Sequence, residues 1–218
     1  MADPRVRARE LARESISRGD VSGWFEQLYA ESARDGFAIS WVDLAPNPHL
    51  VEWLRRKPEP RGRALVVGCG YGDDAELLAS SALEVVAFDV APSAIAACRA
   101  RFPRSPVRYE VADVLAPPAS WSAAFDFVFE AYTVQVLPGS ERATCARVIG
   151  GFVAPGGSLL VVARSRSSED PPGLMPWPLT RPELDEFAVS GLTITRLDEV
   201  VEPGDPPVPR FVAELVRP

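Results

Sequence analysis

Glycines and carboxylates mark the part of this sequence best suited to hold a ligand. Residues 65–74 read LVVGCGYGDD, an apolar run that leads into Gly68, Gly70 and Gly72. A buried strand that ends in glycines exposes bare backbone at the start of the next helix, where a Cβ atom would otherwise block a ligand. The spacing therefore predicts a nucleoside-binding turn.

The residues after these glycines distinguish between two kinds of cofactor. A dinucleotide fingerprint requires a third glycine at position 73, next to the helix end that receives the pyrophosphate. Asp73 and Asp74 stand there instead. Because two carboxylates repel a pyrophosphate, the turn favours a ligand that is not anionic at this point. An NAD-dependent oxidoreductase stays open as a disfavoured alternative.

Two further acids end the next two apolar runs. Asp89 closes EVVAFD, and Asp113 stands in VADV. Asp89 is placed to accept hydrogen bonds from two ribose hydroxyls, and Asp113, with the apolar Val114, is placed to meet an adenine amino group. Each acid also fits ordinary capping after a strand. Together they predict an acidic pocket that suits a cationic sulfonium nucleoside.

Apolar runs that alternate with helical segments must position these residues. The alternation predicts an α/β fold: a doubly wound, Rossmann-like, seven-stranded sheet with five parallel strands, an antiparallel C-terminal pair and helices on both faces. The predicted strands are 64–67, 84–89, 107–111, 124–130, 158–163, 192–201 and 208–216. The predicted helices in this part are 73–80, 92–101, 139–153 and a helix with a capping box from Thr180 to about Val189.

The N-terminal part differs in character. It has an aromatic helical pattern over residues 21–31 and a proline-punctuated stretch with a short helix near 50–55. We expect residues 1–60 to form a helical lid or cap and residues 61–218 to form the ligand-binding domain, within one structural domain.

Three aromatic residues and a group of arginines in this part carry specific expectations. Trp24 and Tyr29 are candidate lid residues, with packing of their helix on the sheet as an equal alternative. Trp41, in a loop between glycine and proline, is expected to face the pocket. The arginines between residues 5 and 13 are expected to lie on a solvated helix face.

Four motifs in a fixed order carry a family resemblance. VVGCGYG, FDV, ADV and FDFVFEAY, spread over residues 63–166, resemble the class I S-adenosylmethionine-dependent methyltransferase family. The resemblance implies S-adenosyl-L-methionine as cofactor, S-adenosyl-L-homocysteine as product, and a floor under the sulfonium made by residues 130–132. The implied cofactor-binding set is Trp41, Gly68, Cys69, Gly70, Asp89, Val90, Asp113, Val114, Glu130, Ala131 and Tyr132.

The flanking segments are similar to a narrower branch. WFEQLY, GFAISWVDLAPNPHL and PWPLTRPELDEF resemble the thiopurine S-methyltransferase-like and thiol methyltransferase proteins. The thiopurine pattern has an arginine after the acid of the fourth strand, whereas Ala131 follows Glu130 here. The branch therefore implies a small-molecule acceptor, a thiol or another soft nucleophile, without implying a thiopurine.

The candidates for the acceptor side are Tyr132, Gln135, Arg164 and His49. Tyr132 and Gln135 follow the fourth strand, and Arg164, at the end of the fifth, fits an acceptor carboxylate or a surface ion pair. His49, the single histidine, fits a capping or surface role better than a catalytic one. A thiol supplies its own anion whereas an alcohol needs a base, so scarce histidine favours a soft acceptor.

Composition excludes several other classes. The chain carries 23 basic and 30 acidic residues, a net charge of −7, which disfavours nucleic acid as a partner. One lysine, one histidine and three scattered cysteines disfavour a Schiff base, a metal centre and a disulfide framework; we expect the cysteines to be reduced, small buried hydrophobes. The sequence shows neither a secretory signal nor a membrane-length apolar run, so we expect a cytoplasmic enzyme. A non-catalytic nucleoside-binding scaffold and a macromolecular methyltransferase remain alternatives.

Overall fold

The computed structural model describes residues 4–57, 60–204 and 206–218. Its centre is a seven-stranded sheet. The strands are β1 (Arg63–Val67), β2 (Glu84–Asp89), β3 (Arg108–Val111), β4 (Phe125–Ala131), β5 (Val153–Arg164), β6 (Thr193–Glu202) and β7 (Val208–Val216). The bounds of β2 and β7 match the prediction, and those of every other strand except β5 lie within one residue of it.

The strand order is β3-β2-β1-β4-β5-β7-β6. Strands β1 to β5 pair in parallel, whereas β7 runs antiparallel to both β5 and β6. This confirms the predicted doubly wound sheet with an antiparallel C-terminal pair. In such a sheet the order reverses between β1 and β4, and the carboxyl ends of the strands beside that point leave a crevice for a ligand.

Seven α-helices flank the sheet in the described part of the chain. They are α1 (Pro4–Ser17), α2 (Gly23–Asp35), α3 (Pro48–Arg56), α4 (Asp73–Ser80), α5 (Pro92–Arg101), α6 (Gly139–Gly151) and α7 (Arg181–Asp185). Helices α4 and α5 match their predicted bounds. At α7 the predicted capping box is present, with Thr180 and Glu183 bonding each other's backbone N–H groups. The chain then tightens into a 3₁₀ turn at Glu186–Ala188, so the α-helix is shorter than predicted.

Helices cover both faces of the sheet because the parallel strands are apolar on both sides. In β1, Leu65 and Val67 pack into one buried cluster, while Ala64 and Val66 pack into another. The first cluster includes residues of α6 and α7, and the second includes residues of α3, α4 and α5. The five parallel strands are thereby held rigidly, and their carboxyl ends are fixed relative to one another.

The start of β5 corrects one boundary. We expected the preceding helix to run to Val153 and the Pro-Gly-Gly sequence to end it, but α6 ends at Gly151 and β5 already begins at Val153. The pairing with β4 shifts register between Phe125 and Phe127. Gly157 permits this bulge, because a Cβ atom there would lie 3.0 Å from the carbonyl oxygens of Phe125 and Asp126.

The N-terminal helices pack on the sheet through a third buried cluster. Leu11 of α1 and Trp24 of α2 belong to this cluster together with Ala94 of α5 and Val136 of the loop after β4. The predicted solvated arginine face is only partly correct: Arg7 pairs with Glu31 of α2 at 2.6 Å, and Nε of Arg9 donates to the carbonyl of Met175. Helix α1 is thus tied to the body of the protein.

Candidate functional site

The candidate site is a cavity of about 980 Å³ at the carboxyl ends of β1 to β5. Residues 40–49, the beginning of α1 and residues 202–204 and 206–210 complete its walls. The predicted site residues that line it are Tyr29, Trp41, His49, Gly68, Cys69, Gly70, Asp89, Val90, Asp113, Val114, Ala131, Tyr132, Gln135 and Arg164. Residues scattered over most of the chain therefore meet at one place.

The glycine loop after β1 has a backbone that side chains would disturb. Gly68 and Gly70 have φ angles of +58° and +52°, in the left-handed region that favours glycine. A Cβ atom at Gly68 would lie 2.4 Å from Oγ1 of Thr133, and one at Gly70 would lie 3.2 Å from the hydroxyl of Tyr29. The glycines thus let this loop approach the turn after β4 and the helix α2.

Asp89 supports this loop as well as facing the cavity. Its Oδ2 accepts a hydrogen bond from the Gly70 amide and its Oδ1 accepts one from the Ala91 amide, both at 3.0 Å. Burial raises the pKa of Asp89 to about 6, although these amides lower it. Asp113 similarly accepts a hydrogen bond from the Leu115 amide at 2.8 Å. The capping role and the position in the pocket, which we treated as alternatives, occur together.

The turn after β4 corrects the expectation for Glu130. This side chain is fully buried and does not line the cavity. Its Oε1 accepts hydrogen bonds from the amides of Thr133 and Val134 at 2.8 and 3.1 Å. Glu130 therefore stabilises the turn through these two hydrogen bonds, and the floor of the cavity here consists of Ala131 and Tyr132.

Glu130 leads to a prediction about pH and stability. Burial raises its pKa from 4.5 to about 7. Between these values the folded chain holds a proton that the unfolded chain releases, so this group lowers the free energy of unfolding as the pH rises from 4.5 to about 7. Glutamine does not titrate. We therefore expect the free energy of unfolding of Glu130→Gln to fall by about 3 kcal/mol less than that of the unmodified protein over this pH range.

Urea unfolding of both proteins at several pH values measures this difference. The exposed Glu84 at the start of β2, replaced by glutamine, is the control. A Glu130→Gln variant whose stability varies with pH as in the unmodified protein would contradict the assignment.

Tyr132 lies at a strained position on the cavity floor. Its φ of +68° is unusual for a residue other than glycine. Its hydroxyl accepts a hydrogen bond from Nδ2 of Asn47 at 3.2 Å, and the Arg210 guanidinium lies 4.7 Å from its ring centre. Burial raises the pKa of Tyr132, so the phenol stays protonated at neutral pH.

Asn47 is a site residue that we did not predict. Its backbone amide donates to Oδ1 of Asp74 at 2.6 Å, and its side-chain oxygen caps α3 by accepting from the His49 amide. Burial raises the pKa of Asp74 to about 6. The asparagine before Pro48 is a helix-capping signal that could have located this residue in the sequence.

Aromatic residues from the N-terminal part cover the glycine loop. Nε1 of Trp41 donates to the hydroxyl of Tyr29 at 3.2 Å, and the ring of Tyr29 lies 5.4 Å from that of Tyr71. Trp24 is different: it is 1% exposed, does not line the cavity and stacks on Phe25 at 3.8 Å. The structure therefore favours the packing alternative for Trp24 over a lid role.

The far end of the cavity is basic. Arg164 lies at the end of β5, and Oε1 of Gln135 accepts a hydrogen bond from its backbone amide at 2.8 Å. Arg210 of β7 pairs with Glu202 of β6, whose other oxygen lies 2.9 Å from Nε2 of His49. We did not predict Arg210 or Glu202, because only the strand register shows that they reach the cavity.

The three cysteines are unpaired, but only two match expectation. Cys98 and Cys145 are buried, and the thiol of Cys98 donates to the carbonyl of Gly70 at 3.1 Å. Cys69 is partly exposed and lines the cavity, so it is not simply a buried hydrophobe. The Cys98 thiol and burial raise the pKa of Cys69, which keeps the thiol protonated.

Two features are absent from residues 4–57, 60–204 and 206–218. No helix there is long and apolar enough to cross a membrane. No group of three or more histidine, cysteine, aspartate or glutamate side chains is arranged there to hold a metal ion.

Comparison with known proteins identifies the central segment. Residues 64–157 match the family model of a methyltransferase domain. The chain is 26% identical over 157 residues to a probable thiol methyltransferase 2 of Arabidopsis thaliana, which covers 71% of this chain and 67% of that protein. It is 32% identical over 164 residues to a trans-aconitate 2-methyltransferase of Methylobacterium radiotolerans, which covers 70% and 57%. The chain thus spans between about half and two thirds of the length of the curated relatives it matches.

A solved structure extends the likeness over the whole chain. It is the 1,6-didemethyltoxoflavin-N1-methyltransferase of Burkholderia thailandensis with bound 1,6-didemethyltoxoflavin and S-adenosylhomocysteine. The identity is 19% and the TM-score is 0.67, with 100% of this chain and 91% of that chain covered. At 19% identity, this likeness shows only that the two chains share a fold. Residues 64–157 therefore resemble a methyltransferase domain in sequence, and the whole chain shares its fold with a methyltransferase of solved structure.

Proposed function

We propose that this chain is an enzyme that transfers the methyl group of S-adenosylmethionine to a small-molecule acceptor and releases S-adenosylhomocysteine. The carrying observation is that three predicted cofactor-contacting segments, at residues 68–70, 89–90 and 113–114, line one cavity at the switch point of the sheet. Their acids suit a sulfonium cation. Asp74 at the start of α4 would repel the pyrophosphate of a dinucleotide, which disfavours the oxidoreductase alternative.

We further propose that the methylated atom is a thiol sulfur or another soft nucleophile. Methyl transfer is an in-line displacement at a carbon that the sulfonium already activates, so the protein mainly aligns the reactants and excludes water. A thiol needs no strong general base, and His49 is the single imidazole of the sequence. The two curated relatives are named for different acceptors, so this proposal rests on the chemistry of the cavity.

The N-terminal part has a covering role in this proposal. Residues 1–60 act as a cap over the cavity, with Tyr29 and Trp41 closing the side above the glycine loop. Residues 1–3 and 58–59 of this part lie outside the described residues. Residues 61–218 supply the sheet and the remaining walls.

A thermal-shift titration with S-adenosylhomocysteine, S-adenosylmethionine and NAD tests the cofactor. A ligand at a hundredfold excess over its Kd adds about 2.7 kcal/mol of stability, which raises the Tm by roughly 5 to 11 °C for a chain of this size. We expect a shift with the two sulfur nucleosides alone. A Tm shift with NAD alone would overturn the proposal. If none of the three ligands shifts the Tm, the proposed binding of S-adenosylmethionine is wrong.

A further inference from the structure

The guanidinium of Arg164 is a cation with no carboxylate partner in the described part of the chain. It lines the cavity and is partly buried. Across residues 4–57, 60–204 and 206–218, no carboxylate pairs with this guanidinium and it donates no hydrogen bond. Only the backbone of Arg164 is bonded there: its amide donates to Oε1 of Gln135, and its carbonyl accepts from the Leu179 amide. The chain has 30 acidic residues and a net charge of −7, so the absence of an acid beside this arginine is unusual.

The strand register places a second cation beside the first. Arg164 of β5 and Arg210 of β7 are direct cross-strand partners, and like charges in such a pair destabilise a sheet. Arg210 is compensated by Glu202 and by the Tyr132 ring, whereas Arg164 is not. Burial lowers the pKa of Arg164, and the neighbouring arginines, Arg210 first, lower it further.

Arg164 and Asp89 lie on opposite sides of the cavity. Asp89 ends β2 and Arg164 ends β5, which are three strand spacings apart, or roughly 14 Å. The cavity is therefore acidic where the cofactor is proposed to lie and basic at the other side. A cationic cofactor and an anionic acceptor would each find the opposite charge.

We infer that the acceptor is a small molecule bearing a carboxylate, and that this carboxylate binds the Arg164 guanidinium at the basic end of the cavity. The inference rests on the proposed function and adds a substrate class to it. Planar guanidinium groups bind carboxylates through paired hydrogen bonds, which fixes orientation as well as position. Arg164 is then a specificity-determining residue for the acceptor.

The carboxylate takes no part in the bond changes. The acceptor sulfur, after loss of its proton to solvent, forms a bond to the methyl carbon. The bond between that carbon and the cofactor sulfur breaks, and its electron pair stays on the sulfur of S-adenosylhomocysteine. The anchored carboxylate only holds the acceptor in line, so its removal changes binding and alignment rather than the chemistry.

Matched pairs of thiols test the inference. The probes are mercaptoacetate, mercaptopropionate and mercaptobenzoate, each compared with its own methyl ester. Isothermal titration is performed on the cofactor-free protein and on protein saturated with S-adenosylhomocysteine, and rates of methylation are measured with labelled S-adenosylmethionine. We expect at least one acid to bind more tightly than its ester, and Arg164→Gln to weaken that acid about fivefold or more while its ester is unaffected.

Two further variants complete the design. Arg164→Lys keeps the charge but not the paired geometry, so it should retain part of the preference for the acid. Arg196→Gln removes an exposed arginine of β6 that pairs with Asp198 away from the cavity, and it should change nothing. Binding of S-adenosylhomocysteine by each variant confirms that it is folded.

The outcomes separate the two proposals. If no acid binds better than its ester in either state, or if Arg164→Gln weakens acid and ester equally, the inference is wrong. If acids bind through Arg164 but S-adenosylhomocysteine does not bind, the inference about the anion site holds and the proposed function fails.

Discussion

Replacing Asp89 with alanine is expected to weaken the binding of S-adenosylhomocysteine by about ten- to a hundredfold. The carboxylate lines the cavity and also holds the amides of Gly70 and Ala91. The substitution therefore removes an acceptor for the ligand and loosens the glycine loop that should lie beneath it. Isothermal titration with S-adenosylhomocysteine measures the loss.

Asp126 offers a matched control for this substitution. Its Oδ2 accepts a hydrogen bond from the Arg63 amide at 2.8 Å, at the amino-terminal edge of the sheet and away from the cavity. Asp126→Ala thus loses a comparable contact to backbone and should bind the ligand normally. An Asp89→Ala variant that binds as tightly as the unmodified protein would show that the pocket is assigned wrongly.

Replacing Trp24 with alanine should lower the free energy of unfolding by about 3 to 5 kcal/mol. The indole is almost fully buried in the third cluster, which packs the N-terminal helices on the sheet. It stacks on Phe25 and lies edge-on to Trp41. Removing it leaves a large void that the surrounding residues cannot fill. Urea unfolding followed by circular dichroism measures the change.

A second substitution at this site distinguishes packing from a lid role. Nε1 of Trp24 is buried and has no hydrogen-bond partner in the described part of the chain. Trp24→Phe keeps an aromatic ring and removes this unsatisfied group, so it should cost less stability than the alanine variant. If Trp24→Ala instead kept normal stability and lost only catalytic activity, the lid assignment would be restored.

Local signals in the sequence were sufficient for the sheet and for the glycine loop that lines the cavity. Apolar runs defined β2 and β7, and the glycines between β1 and α4 marked the loop that lines the cavity. These features are local because a strand that is buried on both faces and a turn with positive φ angles each restrict residue types at neighbouring positions.

Other features of the structure depend on contacts between distant parts of the chain. The pairing of Arg164 with Arg210 follows from the register of β5 and β7, and the burial of Trp24 follows from the way α2 meets α5. The family resemblance implies Glu130 as part of the floor, but its side chain accepts hydrogen bonds from the amides of Thr133 and Val134. The spacing of apolar residues along the sequence does not determine any of these contacts.

The C-terminal hairpin contributes to the cavity from outside the segment that defines the methyltransferase domain. The residues of the cavity on the proposed cofactor side, from Gly68 to Val114, fall within the family match at 64–157, whereas Arg164, Glu202 and Arg210 on the proposed acceptor side lie beyond it. Substitutions in β6 and β7 can therefore alter the charge of the acceptor side while the cofactor loops stay intact. Mutations in this one hairpin can in this way change the proposed acceptor without altering the loops of the proposed methyl donor.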